Sequence, residues 1–364
     1  MSQESFLSEA TNATTTTTAK TCTSTHNPSQ SSLTEDYSYK IQSAIQSLSV
    51  VTTIPPSLFS SQDPAFSLLH DPHVSSQIST LLRHPDSGAG DNNLCRWFYD
   101  TFQSTSSQLQ LVVLRFLPII AGLYLSRIPL RKPLAGFEAI LLALYAHETT
   151  SRNGQAITVN IPDLSNSSVY HETKEISKNN ATDLNLAVIS PSLEPHGTVR
   201  STRRARIVSV ALELYFSKIS LMPLGSKIDF CEFCQIWSGQ DGEMYKEIEE
   251  STENDEEEGK EKEKEKEKEK EEEKEERRIH LPWELLQPIL RILSHCLLGP
   301  QKDKKLFDAA CQACRSLYAR SLHDINPKAI LATGSLLRLS KMAINQNEND
   351  IDYTEITMTN VITL

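Results

Sequence analysis

The sequence predicts an all-α fold of stacked antiparallel helices, and three observations carry that prediction. Apolar residues recur at spacings of three and four through most of residues 94–343. Prolines and glycines fall between these runs, where helices begin and end. Only two short stretches alternate as strands do: Ile157, Val159 and Ile161, then Leu184, Leu186 and Val188. A small β-hairpin is compatible with these two, but the long polar connection between them leaves the pairing open.

Residues 1–40 are rich in Ser and Thr, with an unbroken Thr run at 14–18. They offer too little apolar surface to offset the entropy of ordering, so this segment is expected to be disordered. A helical domain is expected over residues 41–246 and again over 279–344, ending in a polar tail at 345–364. The apolar clusters of residues 41–90 are cut by Pro55, Pro56, Pro64 and Pro72, which predicts two or three short helices. Leu94, Trp97, Phe98 and Phe102 share one helix face. Residues 106–126 are apolar nearly all round and predict one central helix. Residues 134–147 repeat the pattern with Phe137, Ile140, Leu141, Leu144 and Tyr145. Helices resume near Thr202, and Ser226 is placed to cap another over residues 227–237. Pro282 and Gly299 bracket the next, with Pro288 expected to kink it. Residues 303–321 are amphipathic, and Asn326 with Pro327 opens the last helix.

Residues 247–278 are a Glu/Lys insertion. Its strict alternation from Glu261 to Lys270 places like charges four apart and opposite charges only three apart. These terms oppose each other, so a solvated extended run is favoured over a single charged helix.

The hydrophobic share is 38% and the net charge is -11. The acidic balance argues against nucleic-acid binding, which needs a cationic surface. The first ten residues contain Glu4 and Glu9 and no apolar run, so no secretory leader is read and a reducing compartment is expected. The sequons at Asn12, Asn166 and Asn180 then carry no glycosylation meaning. Leu109 to Leu125 is the most membrane-like stretch, but it contains Arg115 and Pro118 and is short of the roughly 20 residues a span needs. It reads as a buried core helix. No lipidation box is present.

No catalytic constellation stands out, and no enzyme or cofactor is expected. His147–Glu148 and His171–Glu172 begin like a zinc-protease motif, but Ser151 and Glu175 stand where the second His belongs. Gly88 and Gly90 lack the strand and Lys of a phosphate loop. The seven cysteines include two C-x-x-C pairs, Cys231/Cys234 and Cys311/Cys314. Four thiolates can close a zinc site, and a zinc-stabilised module is the alternative reading. Both pairs continue helical apolar stripes, which favours small buried hydrophobes. Arg200, Arg203, Arg204 and Arg206 form a basic cluster that either faces anionic lipid or is an ordinary solvated helix start. Phe230, Phe233 and Trp237 share a helix face that either anchors a partner or packs inward, with packing favoured.

Several segments together resemble the hyccin family in a plant-type form. Phe116, Leu117 and Pro118 followed by Tyr124 and Leu125 are similar to its first central helix. Gly136 to Tyr145 resembles its E-A-L-L-L-x-x-Y helix. The most specific match runs from Ile161 through Ser165 to Ser168, Val169, Tyr170, His171 and Glu172, close to the family's I-P-x-L-S-x-x-S-V-Y-H-E. Met222 and Pro223, then Cys231, Cys234, Gln235 and Ile236, resemble its M-P and L-C-Q-I-C region, although Trp237 stands near where that motif ends in cysteine. The last three helices are also similar. The resemblance covers residues 93–343 apart from the charged insertion.

That resemblance implies a non-catalytic scaffold subunit of the plasma-membrane complex containing phosphatidylinositol 4-kinase type III alpha. It implies a tetratricopeptide-repeat scaffold as direct partner, a separate membrane-anchored recruiting protein, and a cytoplasmic, peripheral location at the plasma membrane. An adaptor for another helical-repeat assembly is the alternative in the same class. Ile161, Tyr170 and His171 become candidate partner-facing residues. The charged run buries nothing, so deleting residues 252–276 should leave the melting temperature and the circular dichroism per folded residue nearly unchanged. A loss of several degrees would show that the run packs or caps an element.

Overall fold

The computed structural model describes residues 28–104, 106–162, 184–195, 203–239, 279–300 and 303–346. The charged insertion, Tyr170, His171, Arg200 and the tail after residue 346 lie outside the described residues. The chain divides into two units, residues 1–39 and 40–364. Helix α1 (Pro28–Leu48) begins in the first. Helix therefore starts inside the segment expected to be disordered. Proline at the first helical position is already set for helical φ, so composition did not forbid it.

Among the described residues the fold is 13 α-helices and one two-stranded antiparallel sheet, so the expected helical class holds. Ile41, Ile45 and Leu48 of α1 are buried on one stripe. The helices α2 (Pro56–Phe59), α3 (Pro64–His70) and α4 (Pro72–Arg83) each open on proline. Asp63 caps α3 by accepting from the Phe66 amide at 3.1 Å, and Asp71 caps α4 by accepting from Val74 at 2.9 Å. Asn92 does the same for α5 (Asn93–Gln103), accepting from Cys95 at 3.0 Å.

The long central helix expected over residues 106–126 is two helices, α6 (Ser107–Arg115) and α7 (Leu117–Arg127), bent by 45°. Pro118 is the cause: it has no amide to donate to Leu114, and its ring would clash with that carbonyl. Neither half is long enough to cross a membrane, and nearly every residue of α7 is buried. Arg115, at the bend, points inward and donates to the Leu69 carbonyl.

Helix α8 (Ala135–Ser151) ends at a turn in which Gly154, at φ 69°, donates to the Thr149 carbonyl. Strands β1 (Ile157–Pro162) and β2 (Leu184–Ser190) pair antiparallel, with Val159 opposite Ala187 and Asn160 opposite Leu186. The hairpin left open by the sequence is thus formed. Helix α9 (Arg204–Ser217) follows, then a 3-10 turn at Ile219–Leu221 and α10 (Leu224–Ser238). Ser226 lies inside α10 and does not cap it. Its Oγ donates to the Arg115 carbonyl at 2.5 Å and meets the Tyr215 hydroxyl at 3.0 Å. Gly239, at φ 61°, closes the helix with a left-handed turn. The last three helices are α11 (Trp283–Leu298), α12 (Lys304–His323) and α13 (Pro327–Gln346). Pro288 lies inside α11 without ending it.

Packing follows two rows. One runs α5, α8, α9, α11, and the other α4, α7, α10, α12, α13, with α7 and α11 bridging them. Most neighbours in sequence pack beside one another, but α8 and α9 run in the same direction. The first turn of α8 meets the start of α9 through Glu138 and Arg204, while its last turn meets Glu213 of α9 through Arg152. The ribbon leaves and rejoins at the C-terminal end of α8, and the segment Pro191–Glu194 then turns back along that helix toward the start of α9.

The tightest point is the crossing of α7 and α10. A Cβ added at Gly122 would stand 2.2 Å from the Phe233 ring. That ring is fully enclosed and its neighbour Trp237 donates to the Gly122 carbonyl at 3.4 Å. Gly122→Ala must push the two helices apart and should cost about 1–3 kcal/mol, read as a melting temperature several degrees lower. An unchanged melting temperature would mean the crossing has slack.

Candidate functional site

The cysteines, rings and arginines that the sequence singles out are mostly drawn into the core. All six described cysteines are buried and unbridged. Cys231 hydrogen-bonds to Cys296, and that contact together with burial pushes its thiol well above the ordinary range. Burial likewise raises Cys234 and Cys314. A thiol held protonated is a poor nucleophile and a poor metal ligand. Among the described residues no group of three or more His, Cys, Asp or Glu side chains is arranged to hold a metal ion.

Phe230, Phe233 and Trp237 are inside the core, not on a partner-facing surface. Phe230 stacks on Tyr215 with centroids 6.4 Å apart and meets Trp237 edge-on at 6.3 Å. Four helices converge there, and so large a payload of rings is worth more buried than exposed. The basic cluster also divides. Arg206 is buried and donates to the carbonyls of Pro191 and Ser192 at 3.0 and 3.2 Å, so it is not a lipid-facing cation. Arg203 pairs with Glu194, and Arg204 lies 3.7 Å from Glu138. Arg203, Arg204 and Arg206 line an open cleft of about 630 Å³ with His280 and Glu284. The carboxylates offset much of its charge.

Perturbed acids and bases elsewhere are explained by packing. Burial pushes Asp229 up to about 6 against the opposing pull of Arg83, which pairs with it at 2.8 Å. This pair, with Glu232 3.4 Å from the same guanidinium, ties α4 to α10 at a partly exposed seam.

A further outward feature is the ribbon of β1 and β2. Both of its faces are open, and Val159, Ile161, Leu186 and Val188 are 42%, 47%, 67% and 54% exposed. Ile161, a candidate partner-facing residue, is among them. Leu186 and Val188 were seen only as strand residues, because alternation alone does not say that both faces stay uncovered. A two-stranded ribbon is marginal by itself. Its root is fixed by a buried ion network: Arg152 donates to Glu148 at 2.6 Å, to Glu213 at 3.0 Å and to the Ser190 hydroxyl at 3.0 Å. Ser190 is the last residue of β2, so one guanidinium ties the ribbon to α8 and α9 together.

The described residues thus form a helical array from which an apolar ribbon projects on a base fixed by Arg152. The hyccin family model matches residues 59–363, most of the chain, and the chain belongs to the hyccin family. The match starts some thirty residues before the resemblance read from the sequence. This is a non-catalytic, scaffold-type family linked to phosphatidylinositol 4-kinase complexes.

Arg152→Ala would remove the guanidinium that joins Glu148, Glu213 and Ser190 and leave, among the described residues, only Arg291 acting on Glu213. The expected loss is about 3–5 kcal/mol, larger than for any exposed ion pair. Chemical denaturation of the variant against wild type checks this. A change below about 1 kcal/mol would mean solvent reaches the network.

Proposed function

We propose that this protein is a non-catalytic scaffold subunit that pairs with a tetratricopeptide-repeat partner and stabilises a phosphatidylinositol 4-kinase type III alpha complex on the cytoplasmic leaflet of the plasma membrane. Kinase chemistry belongs to another chain, and a membrane-anchored protein supplies the main recruitment. Production of phosphatidylinositol 4-phosphate is supported indirectly, by holding the assembly together.

Membership of the hyccin family supports the class of function. The observation that carries the partner interface is the ribbon, whose four large apolar side chains are open to water on a base fixed by Arg152. Exposed apolar surface of this kind is characteristic of a docking surface. The loop that joins its two strands carries Tyr170 and His171, so the motif with the most specific family resemblance extends from the same ribbon. Groups already open to water in the free protein can be changed without loss of core packing, which separates binding from folding.

Replacing Ile161, Leu186 and Val188 together by serine should reduce co-purification of the repeat scaffold by at least about tenfold, since each buried apolar side chain is worth roughly 1.5–3 kcal/mol. The melting temperature of the isolated chain should stay within a degree or two of wild type. The double change Tyr170→Ala/His171→Ala should act in the same direction. Undiminished co-purification in both variants removes the ribbon from the interface. An eluate from native tissue with neither a lipid kinase nor a tetratricopeptide protein removes the proposed function itself.

A further inference from the structure

We infer that the turn between α7 and α8 is a contact for an anionic lipid surface. Residues 129–133 read Pro-Leu-Arg-Lys-Pro, and all five are exposed. Leu130 stands 52% open at the tip. Arg131 and Lys132 follow it directly, and among the described residues neither has a carboxylate partner. An apolar side chain beside two free cations fits the boundary between acidic headgroups and acyl chains.

The turn is built to hold this arrangement. Its backbone closes through the amides of Leu130 and Arg131, which donate to Arg127 and Ile128 at 3.1 Å each. Arg131 takes φ 52°, a left-handed conformation that a non-glycine residue adopts only when its surroundings fix it. The prolines at 129 and 133 limit the flanks. Beneath the turn, Arg127 donates to the carbonyls of Ser87, His84 and Arg83 at 2.8, 2.9 and 3.2 Å. It thus pins the end of α7 to the segment after α4 through neutral acceptors.

The neighbouring carboxylates face groups other than Arg131 and Lys132. Asp86 lies 3.8 Å from His84 and attracts Arg127. Glu138, in the first turn of α8, accepts from the Tyr124 hydroxyl at 2.8 Å and faces Arg204. The contact between Glu138 and Arg204 also brings the start of α9 to this end of α8.

One leucine and two free cations make a weak contact, of use to a protein held at the membrane by its partners. The inference rests on the membrane-peripheral part of the proposed function, but its test needs neither kinase nor scaffold. Failure here leaves the co-purification result standing.

The test is flotation of the purified full-length chain with vesicles of phosphatidylcholine alone or mixed with phosphatidylserine, at low and at physiological salt. Wild type should float with the mixed vesicles at low salt, less at physiological salt, and not with neutral ones. Arg131→Glu/Lys132→Glu should lower partitioning by at least about tenfold, since each cation near an anionic leaflet contributes about fivefold. Leu130→Ser should lower it by a smaller factor. Both variants should keep the wild-type melting temperature, because the turn buries none of these side chains. Wild type that stays unbound at low salt overturns the inference. So does undiminished flotation of Arg131→Glu/Lys132→Glu, or binding lost only in Arg200→Glu.

Discussion

The arrangement of this protein depends on the close crossing of α7 and α10. Gly122 lets the Phe233 ring lie against the α7 backbone, and Trp237 then reaches the Gly122 carbonyl. The bend one turn earlier makes that crossing geometrically available. Pro118 ends α6, and the freed polar groups at the bend are taken up by the rest of the fold. Arg115 donates to the carbonyl of Leu69, and its own carbonyl accepts from Ser226. A buried guanidinium is tolerated because its bonds run to carbonyl oxygens that would otherwise be unsatisfied where α3 ends. The two helix rows are joined at this place, and the ring cluster of Tyr215, Phe230, Phe233 and Trp237 fills the space between them.

A second constraint sets where the outward features lie. Because α8 and α9 run in the same direction, the chain must return the length of α8 between them; the ribbon leaves and rejoins at the far end, where Ile157 stands opposite Ser190, and Pro191–Glu194 starts the way back. A tight turn would have made the pair antiparallel and left no projecting element. The Arg152 network holds the root of the ribbon at that end. Glu148, Glu213 and Ser190 belong to three elements, and one side chain satisfies all three. An ion pair so deep adds little net stability compared with apolar packing, but it fixes one geometry where apolar contacts would allow several.

Much of this was legible in the sequence, and the failures have physical causes. Helix class and stripe positions followed from periodicity, because Leu94, Trp97 and Phe98 or Ile140, Leu141 and Leu144 have no other way to bury together. The break at Pro118 was missed because the run around it is apolar on every side, and periodicity carries no phase there. Ser226 was misread as a cap because its real acceptor, the Arg115 carbonyl, is 111 residues away in the chain. Arg206 was grouped with its exposed neighbours for the same reason: the Pro191 and Ser192 carbonyls that take its guanidinium are 15 and 14 residues earlier in the chain. For Phe230, Phe233 and Trp237 the helix face was right, and only the object it faces needed the third dimension.

The same comparison explains why the functional surfaces were the harder part. A core residue is announced by its pattern, since burial demands a repeat. An exposed docking residue is announced by violating one. Leu186 and Val188 alternate as strand residues should, and nothing in alternation says that the second face of the ribbon is also apolar until the register places Asn160 opposite Leu186 and Thr158 opposite Val188. Leu130 shows the converse: one leucine between prolines has no period at all. Its meaning comes from the pinned turn beneath it and from cations whose neighbours are already paired. In a protein that acts through surfaces, those departures from pattern carry the function, and the regular helices supply the rigidity that keeps them exposed.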